Sequence, residues 1–166
     1  MSRRSKVAII VVIQILFLFG MIGVKYYILR YGTQVLLRSA PVDPWDMFKG
    51  EYVRLNYEIS RVKDPDIAIE KKDLRNKTFY VVLEKGENYW SAVSISPVRP
   101  ALDSNQVCIK GRVVYYDYRD NQYNMAYGIE TYYVEEGTGR QIELKDAIDV
   151  IIRVDRFGNA VIEKIL

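Results

Sequence analysis

The chain contains no histidine and a single cysteine, Cys108. These two facts exclude Ser-His-Asp and Cys-His nucleophilic catalysis, histidine-ligated zinc and any two-cysteine metal site, and they rule out an intrachain disulfide. Any remaining chemistry must come from carboxylates, hydroxyls, amines and the one thiol. Two carboxylates about 5–9.5 Å apart can cleave a glycoside. The 21 acidic side chains offer many pairs, but sequence spacing does not say which of them meet. A Ser-Lys pair needs no histidine, yet Asp46-Met47-Phe48-Lys49 occupies the region where the serine of such a hydrolase would stand. The glycines of Glu135-Glu136-Gly137-Thr138-Gly139-Arg140 could cradle an anion, but the two adjacent carboxylates oppose phosphate, and the stretch reads as a loop. The expectation is a chain with no catalytic residue, no metal and no cofactor.

Functional side chains are instead patterned for a surface. From Glu51 to Ile59 the residues alternate: Val53, Leu55, Tyr57 and Ile59 point one way, and Tyr52, Arg54, Asn56 and Glu58 the other. That period of two is a half-buried strand with a polar ladder on its outer side. Gly50 permits a sharp bend into the strand, and the Glu51 carboxylate at its start can cap free N–H groups or pair with a basic side chain. Seven tyrosines (Tyr115, Tyr116, Tyr118, Tyr123, Tyr127, Tyr132 and Tyr133) crowd two neighbouring strands further on. Tyrosine is good sheet material and forms cross-strand pairs, and it is equally an anchor for interfaces that bind an extended peptide or sugar.

These segments belong to a β-rich pattern. Gln34 to Arg38 reads as a short extended segment, and the prolines at 41 and 44 keep the chain extended or turning after it. Trp45, Met47 and Phe48 follow, suited to core or edge packing or to docking on a membrane. Thr78–Leu83 and Tyr89–Ile95 are strands joined by the hairpin Glu84-Lys85-Gly86-Glu87-Asn88. Val107–Tyr116 is the next strand, with Gly111 as a bulge, and Met125–Val134 returns after a polar turn over Asp117–Asn124. Gln141–Ile148 is the one credible helix of the domain. Ala147–Val154 and Ala160–Leu166 flank a hairpin at Asp155-Arg156-Phe157-Gly158-Asn159. Seven or eight antiparallel strands of this kind make a mainly β fold, a compact sandwich or partly open barrel with at most one short helix.

An uncharged run of 18 residues, Val7 to Val24, sets where that module works. As a helix it is about 27 Å long, close to the roughly 30 Å hydrocarbon core of a bilayer. A cleavable signal peptide is the competing reading. The run exceeds the usual apolar length of one, and no small-x-small site follows; the nearest candidate, Ser39-Ala40, precedes Pro41. Tyr26, Tyr27 and Tyr31 suit the headgroup level. Arg3, Arg4 and Lys6 against Lys25, Arg30 and Arg38 tip the balance slightly toward an N-terminus in the cytoplasm and a domain outside it. Residues 1–31 thus read as the anchor and 32–166 as one β-rich extracytoplasmic domain, with the helix ending near Gly32 in a left-handed cap. All 21 acidic residues and 19 of the 24 basic ones lie in the domain, which is slightly acidic. The chain's pI of about 8.8 comes from the membrane flank, and nothing resembles a nucleic-acid face.

Gly50-Glu51-Tyr52-Val53-Arg54-Leu55-Asn56-Tyr57 resembles the motif that names the GDYXXLXY family of bacterial membrane-anchored proteins of unknown function. The approach from Leu36 to Gly50, the segment from Gly128 to Glu143 and the closing hairpin also resemble that family's pattern. Position 51 departs from it, carrying Glu for Asp, which keeps the charge one methylene further out. The resemblance implies a single-span protein associated with polytopic membrane proteins, and it implies no reaction. Two readings of the motif stand side by side: a structural strand that begins with a turn, or a recognition face made by Tyr52, Arg54, Asn56 and Glu58 with Tyr127, Glu130 and Tyr132. The expected function is a noncatalytic membrane-anchored accessory protein with the bilayer and a polytopic membrane protein as partners. The alternatives are an extracytoplasmic ligand-binding or sensing module and a membrane-bound hydrolase of Ser-Lys or carboxylate type.

Overall fold

The apolar run forms one continuous helix, α1 (Arg3–Tyr31), that is long and apolar enough to cross a membrane. No part of its most apolar stretch is covered by the rest of the chain. This computed structural model describes residues 3–42, 52–63, 77–135 and 147–166. The helix stops at Tyr31, and Gly32 leads directly into the first strand. Gly32 does not adopt the left-handed conformation expected of it, since the positive-φ glycines among the described residues are Gly128 and Gly158. Its N–H donates to the Ile28 carbonyl at 2.8 Å, and a Cβ there would lie 3.1 Å from both Arg153 Cβ and Val154 N. The Ile28 carbonyl of the last helical turn would be nearer still, so crowding by the helix end and by β9, not handedness, is what excludes a side chain.

Ten strands among the described residues make two five-stranded antiparallel sheets, a mainly β fold as the sequence pattern anticipates. The first sheet has the order β10-β9-β1-β2-β8, built from β1 (Thr33–Val42), β2 (Tyr52–Tyr57), β8 (Thr131–Tyr133), β9 (Ile148–Val154) and β10 (Ala160–Ile165). The second has the order β3-β7-β6-β4-β5, built from β3 (Arg61–Lys63), β4 (Thr78–Lys85), β5 (Trp90–Ser96), β6 (Gln106–Asp117) and β7 (Gln122–Ala126). Register shifts at Val82/Leu83, Val113/Tyr115 and Ile162/Lys164 curl the sheets. Edge strands β3 and β5 contact each other, and edges β8 and β10 border a single cleft, so each sheet is nearly closed. The core lies between the sheets. Val35, Leu37, Leu55, Val150 and Ile152 come from one side and Val62, Val81, Leu83, Ile109 and Val113 from the other.

Several elements differ from the sequence reading. Gln34–Arg38 is part of a ten-residue strand, β1, that pairs with both β2 and β9 at the centre of its sheet. The motif strand ends at Tyr57, and Glu58–Ser60 is a single 3₁₀ turn, η1. The strand expected over Met125–Val134 is two strands on different sheets: β7 begins early, at Gln122, and β8 is a separate piece. Gly128, at φ +81°, breaks them apart, a conformation open to glycine at little cost. Gly111 is not a bulge, since it pairs in register with Phe79 and the irregularity falls at Val113/Tyr115. It is small because a Cβ would meet the Tyr127 ring at 2.9 Å. Of the expected helix Gln141–Ile148, residues 141–146 lie outside the described residues, and Ile148 opens β9. Both short hairpins form as read, with Gly86 N–H donating to the Tyr89 carbonyl and Asp155 N–H to the Asn159 carbonyl.

Candidate functional site

The chain passes from the first sheet to the second through η1 and returns through residues 127–130, between β7 and β8. Among the described residues these are its two crossings, and two tyrosines latch them to each other. The Tyr57 hydroxyl donates to the Ile129 carbonyl at 2.7 Å, and the Tyr127 hydroxyl donates to the Ile59 carbonyl at 2.6 Å. Leu55 N–H donates to the Glu130 carbonyl at 2.8 Å, tying the motif strand to the same segment. The Glu130 carboxylate folds back on its own turn, accepting from the N–H groups of Tyr127 and Gly128. Burial first, and then the Glu130 charge, push both phenols above their ordinary range, so each stays a donor.

On the outer side of β2, register decides what is displayed. Tyr52 lies opposite Tyr133 and Arg54 opposite Thr131, whereas Val53 lies opposite Tyr132. The Tyr52 and Tyr133 rings meet at 6.1 Å between centroids, and Arg54 and Asn56 are exposed beside them. Tyr132 shares the inner side with Val53 and is half-buried, and Tyr127 is in the core. Of the residues singled out from sequence, Tyr52, Arg54 and Asn56 thus stand together on the surface. Leu55 and Tyr57 are core, and Tyr127 and Glu130 serve the crossing. Gly50 and Glu51 lie outside the described residues, as do Trp45, Met47 and Phe48. Thr131 was missed, and Tyr133, singled out among the tyrosines, was not placed on this face. The only signal that could have found them is the strand break at Gly128, which detaches β8 from the alternation of the preceding strand.

Beside this face opens a cleft of about 510 Å³. Arg38, Ser39, Asn56, Glu58, Arg61 and Ala147 contribute to its wall. Arg38 lies 3.8 Å from Glu58, both exposed, and its guanidinium sits 5.9 Å from the centroid of the Tyr89 ring. Tyr89 donates to Asp149 Oδ1 at 2.9 Å, and that hydrogen bond raises its phenol above the ordinary range. The Ser39 hydroxyl is buried and turned to the Ala40 carbonyl, and among the described residues no lysine lines the cleft. Cys108 is buried too, and burial raises its thiol. Among the described residues no group of His, Cys, Asp and Glu side chains is arranged to hold a metal ion.

A long apolar helix leading without a linker into two nearly closed β sheets, with a polar strand face, defines a class of small helix-tethered β modules. Within that class the chain belongs to the GDYXXLXY family, whose model matches residues 14–165. No curated protein and no solved structure matches it.

Proposed function

We propose that this chain is a noncatalytic, single-pass membrane-anchored accessory protein whose β module, outside the cytoplasm, binds a polytopic membrane protein through the outer face of β2 and β8. The observation that carries the reading is the Tyr52–Tyr133 ring pair, flanked by exposed Arg54 and Asn56 on a strand whose other side is locked into the core. Aromatic rings beside an arginine are the residue types that concentrate binding energy in protein interfaces. Replacing Tyr133 or Tyr52 by Ala, or Arg54 by Glu, is expected to remove the partner from a mild-detergent purification while leaving the melting temperature within about 2 °C. A partner retained by all three variants overturns the reading. Protease shaving of intact cells tests the sidedness: a module cleaved only after lysis lies in the cytoplasm.

The Arg38–Arg61 cleft favours a second reading, an extracytoplasmic module that binds a small ligand through two guanidiniums. It predicts a rise in melting temperature with a carboxylate or phosphate compound, abolished in Arg61→Ala.

A further inference from the structure

The apolar run of α1 ends at Val24, so Lys25–Tyr31 rise about 10 Å past it, through the layer that headgroups occupy. The groups packed around Tyr31 and Thr33 therefore stand at the lipid surface. In the structure a small cleft of about 200 Å³ brings Tyr31 and Thr33 together with Arg99, from the segment after β5, and with Asp155 and Arg156, from the β9–β10 turn. The tip of that turn is Phe157, 49% exposed, with the Arg156 guanidinium 4.7 Å from its ring centroid.

The backbone that carries Phe157 is fixed. Asp155 Oδ1 accepts from the N–H groups of Phe157 and Asn159, both at 2.8 Å, and Asn159 Nδ2 donates to Asp155 Oδ2 at 2.8 Å. Gly158 holds φ +87°, and its carbonyl accepts from Lys110 N–H at 2.8 Å. The one carboxylate of the tip is thus committed to the turn. Lys25 and Arg30 on α1, with Arg99 and Arg156 on the module, leave this end of a slightly acidic domain rich in positive charge. An exposed ring with Arg156 against it, on a turn whose Asp155 and Arg156 share a cleft with Tyr31 and Arg99, matches the residue types found where proteins meet a bilayer surface.

We infer that the β9–β10 turn is a second membrane contact. Phe157 seats at the boundary between headgroups and acyl chains, and Arg99 and Arg156 face anionic phospholipid headgroups. The inference rests on α1 being a membrane anchor. Two contacts instead of one fix the rotation of the module about α1, which gives the Tyr52–Tyr133 face a set direction along the membrane.

The test uses the full chain in lipid nanodiscs with Phe157→Trp, subtracting the wild-type signal of Trp45 and Trp90. In discs containing phosphatidylglycerol, the introduced indole is expected to emit at shorter wavelength than in free solution and to be quenched by lipids brominated near the top of the acyl chain. In discs of phosphatidylcholine alone, or with Arg99→Glu and Arg156→Glu together, the ratio of docked to undocked tip should fall on the order of tenfold. An indole that stays unquenched in anionic discs overturns the contact while leaving the anchor intact. Equal quenching in both lipids overturns the role of the two arginines. A chain that remains outside the discs refutes the anchor itself.

Discussion

The pair of tyrosines that latches the two crossings should contribute more to stability than any other side-chain hydrogen bonds of the module. Tyr57→Phe removes one hydroxyl and leaves the Ile129 carbonyl in the core without that donor; Tyr127→Phe does the same to the Ile59 carbonyl. The shape of the core is unchanged, so the cost is that of a buried acceptor deprived of its partner, about 1–3 kcal/mol for each variant. For a module of this size that is a fall of about 3–10 °C in melting temperature, read by intrinsic fluorescence in detergent. The bonds join the same two crossings in opposite directions, so loosening one weakens the other. The double variant should therefore fall short of the sum of the singles by at least about 0.5 kcal/mol. The raised phenols add a pH signature. A tyrosine that ionises in the unfolded chain near pH 10 but not in the folded one stabilises the fold fully below that pH. That stability is lost as the pH rises further, so alkaline unfolding and the ionisation of these two residues, followed by ultraviolet absorbance, should coincide. Single variants melting within about 1 °C of wild type would refute the latch.

Gly111→Ala should destabilise the module by about 1–3 kcal/mol, because the added methyl meets Tyr127 Cδ1 and Cε1 at 2.9 Å and the latch prevents that ring from moving aside. The same thermal assay reads it, and the loss should shrink in a Tyr127→Ala background. A second prediction concerns the joint with α1. Arg153 Nε pairs with Glu163 Oε2 at 2.6 Å while Arg153 Nη1 donates to the Gly32 carbonyl at 3.2 Å, clipping β10 to the end of the helix. The hydrogen bond from Arg153 holds the Glu163 carboxyl below its ordinary range. Its stabilisation is therefore full above about pH 4.3 and disappears as the pH falls through the depressed value. Amide exchange at Gly32 and Thr33, measured relative to the core amides, should accelerate over that acid range in wild type and lose the dependence in Glu163→Gln.

Elements with strong local chemistry were legible in the sequence. The helix followed from an uninterrupted apolar run, the motif strand from strict alternation, and the two hairpins from Gly86 and from Asp155 with Gly158. What was not legible lay where tertiary geometry overrides local pattern. Met125–Val134 looks like one strand because tyrosines and β-branched residues fill it, but Gly128 and the returning Glu130 carboxylate turn the chain onto the other sheet. Gly111 and Gly32 invited conformational explanations, a bulge and a left-handed cap. Gly111 is instead small because the Tyr127 ring comes too close, and Gly32 because the Ile28 carbonyl and then β9 leave no room for a Cβ. The outer face was half legible. Alternation gave Tyr52, Arg54 and Asn56, but their neighbours depend on the β2–β8 register, and that placed Tyr133 there and Tyr132 inside.

The family motif itself divides along the same line. Of its named letters among the described residues, Leu55 and Tyr57 face the core, and Tyr57 carries half of the latch. Tyr52 alone points outward, and the positions the name leaves open include the exposed Arg54 and Asn56. Two of its fixed letters, Leu55 and Tyr57, secure the core and the sheet crossing, and Val53 at an open position joins them in the core, while Tyr52, Arg54 and Asn56 line the outer side, so the motif reads first as a folding signature. It therefore identifies the module more surely than it identifies what the module binds. Tyr57→Phe and Tyr52→Ala separate the two roles: the first should lower stability and spare partner capture at low temperature, and the second should do the reverse.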